Sequence, residues 1–148
     1  MIPISKYMDP KLVCFIDVET RQEALQEMVD MLYYADKLKD KDQFLKAILD
    51  REKVVSTGIG LGVAIPHAKL PNYREFFIAI AISKKGINWN ALDNTAVRLI
   101  FMIGGPDDKQ TEYLQLLSSL TLAIKDEERR KKLLTLNSKE SIIKLFLA

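Results

Sequence analysis

"TGIGLGVAIPHAK", the stretch from Thr57 to Lys69, contains the only histidine of the chain, His67. Glycine occupies every second position up to Gly62, and the apolar residues that follow end at a Pro-His pair. Pro66 has a restricted backbone of its own and favours an extended conformation at Ile65. The pattern therefore predicts a glycine-containing loop, a short strand over residues 62–65, and an imidazole held at the end of that strand.

The residues that precede His67 are of the types that phosphoryl transfer uses. A neutral imidazole, with an ordinary pKa of about 6.5, can attack phosphorus through either ring nitrogen. Arg51 offers a planar guanidinium for phosphate oxygens, and the glycine loop offers backbone N–H groups. Ser56 and Thr57 add hydroxyls. Because this chemistry depends mainly on positioning and charge stabilisation, the stretch predicts a phospho-acceptor site at His67.

Simpler interpretations of the same residues stay open at this point. A histidine beside a proline is more often a hydrogen-bonded structural residue than a catalyst. Alternating glycines often mark only a bulged edge strand, and Arg51 could cap its helix through exposed carbonyls.

Other kinds of chemistry fit the sequence poorly. Val63 stands where the third glycine of a dinucleotide-binding G-x-G-x-x-G would be, and the segment precedes a strand instead of following one. No Gly-Lys-Ser/Thr ends a phosphate loop, and no G-x-S-x-G exposes a serine nucleophile. One cysteine and one histidine cannot form a Cys/His zinc site; a metal site built from carboxylates alone stays open, although no spacing points to one.

The rest of the chain alternates strand and helix patterns. Capping pairs predict three helix starts, at Thr20 with Glu23, at Asp40 with Gln43, and at Asp107 with Gln110. The second helix carries Arg51 on its apolar stripe. Strands are predicted over 12–18, 74–83 and 96–104, a turn over 84–94, and two short helices that divide near 137–138. This order predicts an α/β sandwich, with a central sheet covered by helices on both faces.

The composition is typical of a single globular domain, residues 1–148. Hydrophobic residues make up 48% and charged residues 28%, and the net charge is +2. The charged run "DEERRKK" mixes both signs, which favours a solvated helix face over a nucleic-acid patch. The N-terminus lacks a secretory pattern, and no apolar run is long enough to cross a bilayer. We therefore expect a cytoplasmic protein without membrane insertion.

Three segments together resemble a known family: Arg51–Glu52, "STGIGLGVAIPHA" (56–68) and "EYLQLLSSLTLAI" (112–124). The family is the IIA domain of the fructose/mannitol class (EIIA type 2) of the bacterial phosphoenolpyruvate-dependent phosphotransferase system. "ALDNTAVRLIFMI" (91–103) is similar to the standalone nitrogen-regulatory branch. The resemblance implies a three-layer sandwich with a mixed sheet. It also implies that HPr or a relative donates a phosphoryl group to His67, with Arg51 stabilising its charge and Ser56 and Thr57 lining the site. By the same resemblance, neither a nucleotide nor a metal cofactor is expected.

One position departs from the family pattern. In the family, a second histidine usually supports the active one, and the corresponding residue here is Tyr113. Its hydroxyl can donate or accept a hydrogen bond, but it cannot carry positive charge near neutral pH. Two functions therefore stay open. The first is a phosphocarrier that passes its phosphoryl group to a IIB domain or uses it as a regulatory signal. The alternative is a non-transferring regulatory module that binds target proteins.

Overall fold

The computed structural model describes residues 3–147. Two short 3-10 turns, Ile4–Tyr7 and Pro10–Leu12, come first. The strands and helices of this range then follow in the order β1 (Val13–Phe15), α1 (Arg21–Tyr34), α2 (Lys41–Val54), β2 (Gly58–Gly60), β3 (Val63–Ala64), β4 (His67–Leu70), β5 (Phe77–Ile87), β6 (Val97–Pro106), α3 (Gln110–Lys125), α4 (Glu127–Leu133) and α5 (Lys139–Lys144).

The strands form one mixed sheet with β5 and β6 at its centre. β1 is parallel to β5, β5 is antiparallel to β6, and β2 is antiparallel to β3. β3 and β4 both run parallel to β6 along the same edge, so that Ala64 lies opposite Ile100 and His67 opposite Ile103. The long central strand β6 therefore fixes the position of His67.

Each face of the sheet packs against its own set of helices. Because side chains alternate along a strand, Ala79 and Ala81 of β5 join the core beneath α1 and α2. Ile78, Ile80 and Ile82 join the core beneath α3, α4 and α5. The sequence prediction of a three-layer α/β sandwich with a mixed sheet is confirmed.

The helix starts follow the predicted caps in two of three places. Thr20 and Glu23 form a complete capping box at α1, and the Asp40 side chain accepts a hydrogen bond from the Gln43 N–H at α2. The prediction of Asp107 as the cap of α3 is wrong. β6 continues to Pro106, and the helix begins at Gln110 without any side-chain cap. No helix within residues 3–147 is long and apolar enough to cross a membrane.

The glycines of the predicted loop form a tight β2–β3 hairpin. The segment 58–60, predicted as loop, is a strand, and Gly60, Leu61 and Gly62 all have positive φ values, of 93°, 61° and 73°. Glycine adopts this conformation without a steric penalty, and the Leu61 N–H is held by the Asp93 carboxylate at 3.2 Å. Gly60 and Gly62 are therefore explained by the turn that they build, whereas Gly58 lies in β2, where a Cβ would lie 2.8 Å from the Ala91 Cβ.

Two further predictions near the site differ from the structure. His67 does not end a strand but begins β4, because Pro66 interrupts the edge while its carbonyl still accepts a hydrogen bond from the Ile103 N–H at 2.9 Å. The segment 84–94 is not all turn, since β5 continues to Ile87 and Trp89 is completely buried. Gly86 lies inside this strand with a φ of 83°, a conformation that favours glycine. The glycine and the asparagines near it give the segment 84–94 the composition of a turn.

Candidate active site

His67 is half-buried, and both ring nitrogens have a hydrogen-bond partner. Nδ1 lies 3.0 Å from the Ile65 carbonyl oxygen, and Nε2 lies 3.3 Å from the Nε of Arg51. A carbonyl only accepts and a guanidinium only donates, so Nδ1 carries the hydrogen and Nε2 carries the lone pair. The surroundings thus select one neutral tautomer, in which the lone pair of Nε2 accepts the hydrogen bond from Arg51.

The charge state of His67 favours the neutral ring. Burial lowers its pKa from the ordinary value, and the positive charges of Arg51 and Lys69 lower it further. The hydrogen bond to the Ile65 carbonyl and the negative charge of Glu52 oppose this shift without reversing it. His67 therefore presents an unprotonated nitrogen at neutral pH, which nucleophilic attack requires.

Arg51 lies in the last turn of α2 and makes two contacts. Its Nε donates to His67, and its Nη1 donates to the Val55 carbonyl oxygen at 2.7 Å, next to the helix end. The helix-capping interpretation and the functional one are therefore compatible, because separate nitrogens of one guanidinium serve them. The Val55 contact also holds the plane of the guanidinium beside the imidazole.

Ser56 and Thr57 lie in the turn between α2 and β2, and both hydroxyls have protein partners. The Ser56 hydroxyl donates to the Trp89 carbonyl oxygen at 2.7 Å and accepts from the Gly58 N–H at 3.1 Å. The buried Thr57 donates from its hydroxyl and its backbone N–H to the Glu52 carboxylate. These contacts stabilise the turn that leads to the hairpin.

Tyr113 places its ring beside His67. The ring centroids are 6.0 Å apart, and burial raises the pKa of the tyrosine hydroxyl. Among residues 3–147, no hydrogen bond joins this hydroxyl to either imidazole nitrogen, whose partners are Ile65 and Arg51. The ring, and not the hydroxyl, is thus what Tyr113 contributes to the surroundings of His67 in this structure.

Two residues near the site, Lys69 and Trp89, were not identified from the sequence, and Glu52 was named there only as part of the family resemblance. Lys69 lies two positions after His67 on β4, and therefore on the same side of the strand; its Nζ is 4.2 Å from the Tyr113 ring centroid and donates to Gln110 at 2.7 Å. The two-residue alternation of side chains along a strand could have indicated that Lys69 lies on the same face as His67. Glu52 and Trp89 meet beneath the site, where the indole N–H donates to the carboxylate at 3.1 Å. Trp89 was missed because the segment 84–94 has the composition of a turn. No local pattern indicates that Glu52 is buried.

The chain matches one family model over residues 6–148: the EIIA 2 component of the phosphoenolpyruvate-dependent sugar phosphotransferase system. A match over nearly the whole chain shows membership. The protein therefore belongs to this family, whose IIA domains are phosphotransfer components, and the resemblance stated from the sequence is confirmed.

Similar proteins come from both sugar-transport and regulatory systems. A fructose-specific EIIABC component of Bacillus subtilis is 39% identical over 86% of this chain, which spans only 20% of that relative's length. A fructose-specific EIIA component of Haloferax volcanii is 36% identical over 83% of this chain and 80% of its own. A nitrogen regulatory protein of Bradyrhizobium diazoefficiens is 29% identical over 89% of this chain and 86% of its own.

Solved structures of similar proteins share the fold. Nitrogen regulatory protein IIA-Ntr of Neisseria meningitidis superimposes with a TM-score of 0.90 at 24% identity, covering 97% of this chain and 98% of its own. The mannitol IIA enzyme of Escherichia coli, solved in complex with phosphorylated mannitol IIB, gives a TM-score of 0.76 at 20% identity, covering 92% of this chain and 94% of that one. At these identities the likeness concerns the fold alone.

Proposed function

We propose that this protein is a phosphocarrier that accepts a phosphoryl group on Nε2 of His67. The observation that carries the proposal is the pairing of this nitrogen with the Nε of Arg51, which leaves a lone pair beside a fixed positive charge. HPr or a relative is the proposed donor. The acceptor is a IIB domain, or the phosphorylated protein itself acts as a regulatory signal.

The reaction exchanges one phosphorus–nitrogen bond for another. The lone pair of Nε2 forms a bond to the phosphorus of the donor's phosphohistidine, and the old bond breaks with its electron pair returning to the donor imidazole. The proton on Nδ1 stays in its hydrogen bond to the Ile65 carbonyl, so no proton has to leave the ring. As the new bond forms, the Arg51 N–H that the Nε2 lone pair accepts is released and donates instead to the oxygens of the incoming phosphoryl group. No nucleotide or metal takes part.

The remaining predicted residues have supporting roles in this proposal. Tyr113 excludes water from one side of the imidazole, and Ser56 and Thr57 keep the turn beside the phosphoryl group in shape. The complex of the Escherichia coli mannitol protein supports a IIB partner. These partners imply a cytoplasmic location.

A regulatory binding module is the second candidate, and Tyr113 favours it. This residue leaves the site without the second titratable histidine, which slows or restricts phosphoryl exchange in this alternative. The nitrogen regulatory protein among the relatives supports it as well.

The decisive experiment incubates the full chain with phosphoenolpyruvate, enzyme I and HPr, and measures an acid-labile phosphoryl adduct by mass spectrometry. We expect one adduct on the wild type and none on His67→Ala, with an unchanged circular dichroism spectrum. An adduct that persists on the variant contradicts the proposal. No adduct on the wild type supports the binding module, and release of the adduct on addition of a IIB domain supports the transport route.

A further inference from the structure

Glu52 is the only charged residue that is buried among residues 3–147. Its carboxylate accepts from the backbone N–H of Thr57 at 3.1 Å, from the Thr57 hydroxyl, and from the Trp89 indole at 3.1 Å. The Nη1 of Arg21 lies 3.6 Å from the Oε2 of Glu52. A buried carboxylate with this number of donors is held in one place, because any displacement would leave charge without a partner.

A continuous hydrogen-bond path leads from Glu52 to His67. The Thr57 backbone that donates to Glu52 also accepts at its carbonyl oxygen from the Ile65 N–H at 3.0 Å. The Ile65 carbonyl oxygen in turn accepts from Nδ1 of His67 at 3.0 Å. The path therefore ends on the nitrogen opposite the one that faces Arg51.

Arg51 and Glu52 are consecutive residues of α2, yet they reach His67 from different sides. Arg51 contacts Nε2 directly, whereas Glu52 is connected to Nδ1 through Thr57 and Ile65. One helix end thereby determines both the ring position and the nitrogen that carries the hydrogen. Free neutral histidine prefers its hydrogen on Nε2, so this selection needs a protein contact.

We propose that Glu52 is a positioning residue for His67: through Thr57 and Ile65 it holds the imidazole in the tautomer and the place that phosphoryl acceptance requires. This inference rests on the proposed function for its kinetic consequence. Its structural consequence, the state of the unphosphorylated ring, is independent of that function.

The experiment compares Glu52→Gln, Thr57→Val and the control Asp50→Asn. A glutamine keeps the shape of Glu52 but turns an amide N–H₂ towards one of the donors, and valine removes only the Thr57 hydroxyl. Asp50 lies on the same helix, is exposed and pairs with Lys46, so its variant removes a nearby negative charge without touching the path. Nitrogen-15 chemical shifts of the single imidazole report which nitrogen carries the hydrogen. Phosphorylation from phospho-HPr and unfolding in urea are measured on the same samples.

We expect Glu52→Gln to give a tautomer mixture and to slow phosphorylation by up to roughly a hundredfold, since a misplacement of about 1 Å has that effect. Thr57→Val, which removes one donor to Glu52 but keeps the backbone path, should shift both in the same direction by a smaller amount, and Asp50→Asn should shift neither. Loss of stability with unchanged nitrogen shifts and rate in Glu52→Gln would show a merely structural role and overturn the proposal. If that variant does not fold, Glu52→Asp replaces it: its carboxylate is one methylene shorter and is withdrawn from the Thr57 N–H, so unchanged nitrogen shifts and an unchanged rate in Glu52→Asp overturn the proposal. Absence of phosphorylation in the wild type refutes the proposed function instead, and the nitrogen shifts still decide the role of Glu52.

Discussion

Replacing Arg51 should slow phosphorylation of His67 far more than it destabilises the fold. Its Nε lies 3.3 Å from the attacking nitrogen, so its N–H groups lie where the oxygens of the incoming phosphoryl group gather charge. Removing one fixed donor to developing charge raises an activation barrier by about 2.7–4 kcal/mol, or roughly 10²–10³-fold in rate. We expect a loss of this size for Arg51→Ala. Arg51→Lys keeps the charge but loses the planar geometry, and should show a smaller loss of about tenfold.

The cost to stability can be estimated from the other contact of Arg51. Its hydrogen bond to the Val55 carbonyl, of 2.7 Å, lies at the protein surface. A bond of this kind contributes about 0.5–1.5 kcal/mol, and water replaces part of it at an exposed carbonyl. Unfolding of a small fraction of the protein therefore cannot account for a hundredfold loss of rate.

The assay is rapid-quench measurement of phosphoryl transfer from phospho-HPr at limiting donor, with urea unfolding of each variant. Lys53→Gln is the matched control, because Lys53 lies at the same helix end but is exposed and pairs only with Asp50, at 3.9 Å. It tests whether net charge alone attracts the donor. Equal rates for wild type and Arg51→Ala, or equal losses for Arg51→Ala and Lys53→Gln, would refute the assignment of Arg51 to the phosphoryl group.

Two further predictions concern the same site, and a third concerns the packing of Gly104 in the core. The single imidazole should titrate by NMR below the ordinary value, because burial and, to a lesser extent, Arg51 lower its pKa. As the pH falls, phosphoryl acceptance should persist below pH ~6.5 and decrease only where the folded ring becomes protonated. The unfolded chain binds this proton first, so stability should decrease as the pH falls from ~6.5 to the lowered pKa of the folded ring. Tyr113→Phe should leave the rate of phosphoryl transfer within about twofold of wild type, since the tyrosine hydroxyl binds neither nitrogen of His67; a large loss of rate would contradict this geometry. Tyr113→His should add a pH-dependent step near neutrality. Gly104→Ala should reduce the free energy of unfolding by about 1–3 kcal/mol in urea, because its Cβ would lie 2.8 Å from Phe44 and still closer to Phe77.

The sequence predicted those features of the fold that depend on local chemistry. The capping box at Thr20 needs only residues three apart, and the apolar runs of β5 and β6 contain their own signal. Arg51 and His67 could be assigned to one site because a long motif of a known family contains both. Their direct contact at 3.3 Å follows from the parallel pairing of β4 with β6, which no local pattern specifies.

The missed features depend on contacts between distant segments. Trp89 lies among asparagines and other turn residues, yet it is buried because Glu52, Thr57 and Arg21 provide partners for its indole N–H and its carbonyl. β2 has only three residues, two of them glycine, and is defined by its pairing with β3. For Asp107 the local signal was present but misleading. Asp107 is a good capping residue, yet β6 extends to Pro106 and α3 begins only at Gln110.

The tyrosine at the second-histidine position changes how charge around His67 responds to pH. A histidine there would be neutral or positive according to pH, and would alter the field at the phosphoryl group within the physiological range. In this chain the positive groups that act on His67 are Arg51 and Lys69, and the Nζ of Lys69 lies 4.2 Å above the Tyr113 ring, in an attractive cation–π contact. Burial raises the pKa of the Tyr113 hydroxyl, so this side chain adds no charge of its own near neutrality. Under the proposed function, Tyr113 therefore contributes no switch of charge near neutrality, and we expect any pH dependence of phosphoryl acceptance there to originate in the ring of His67 or in the donor.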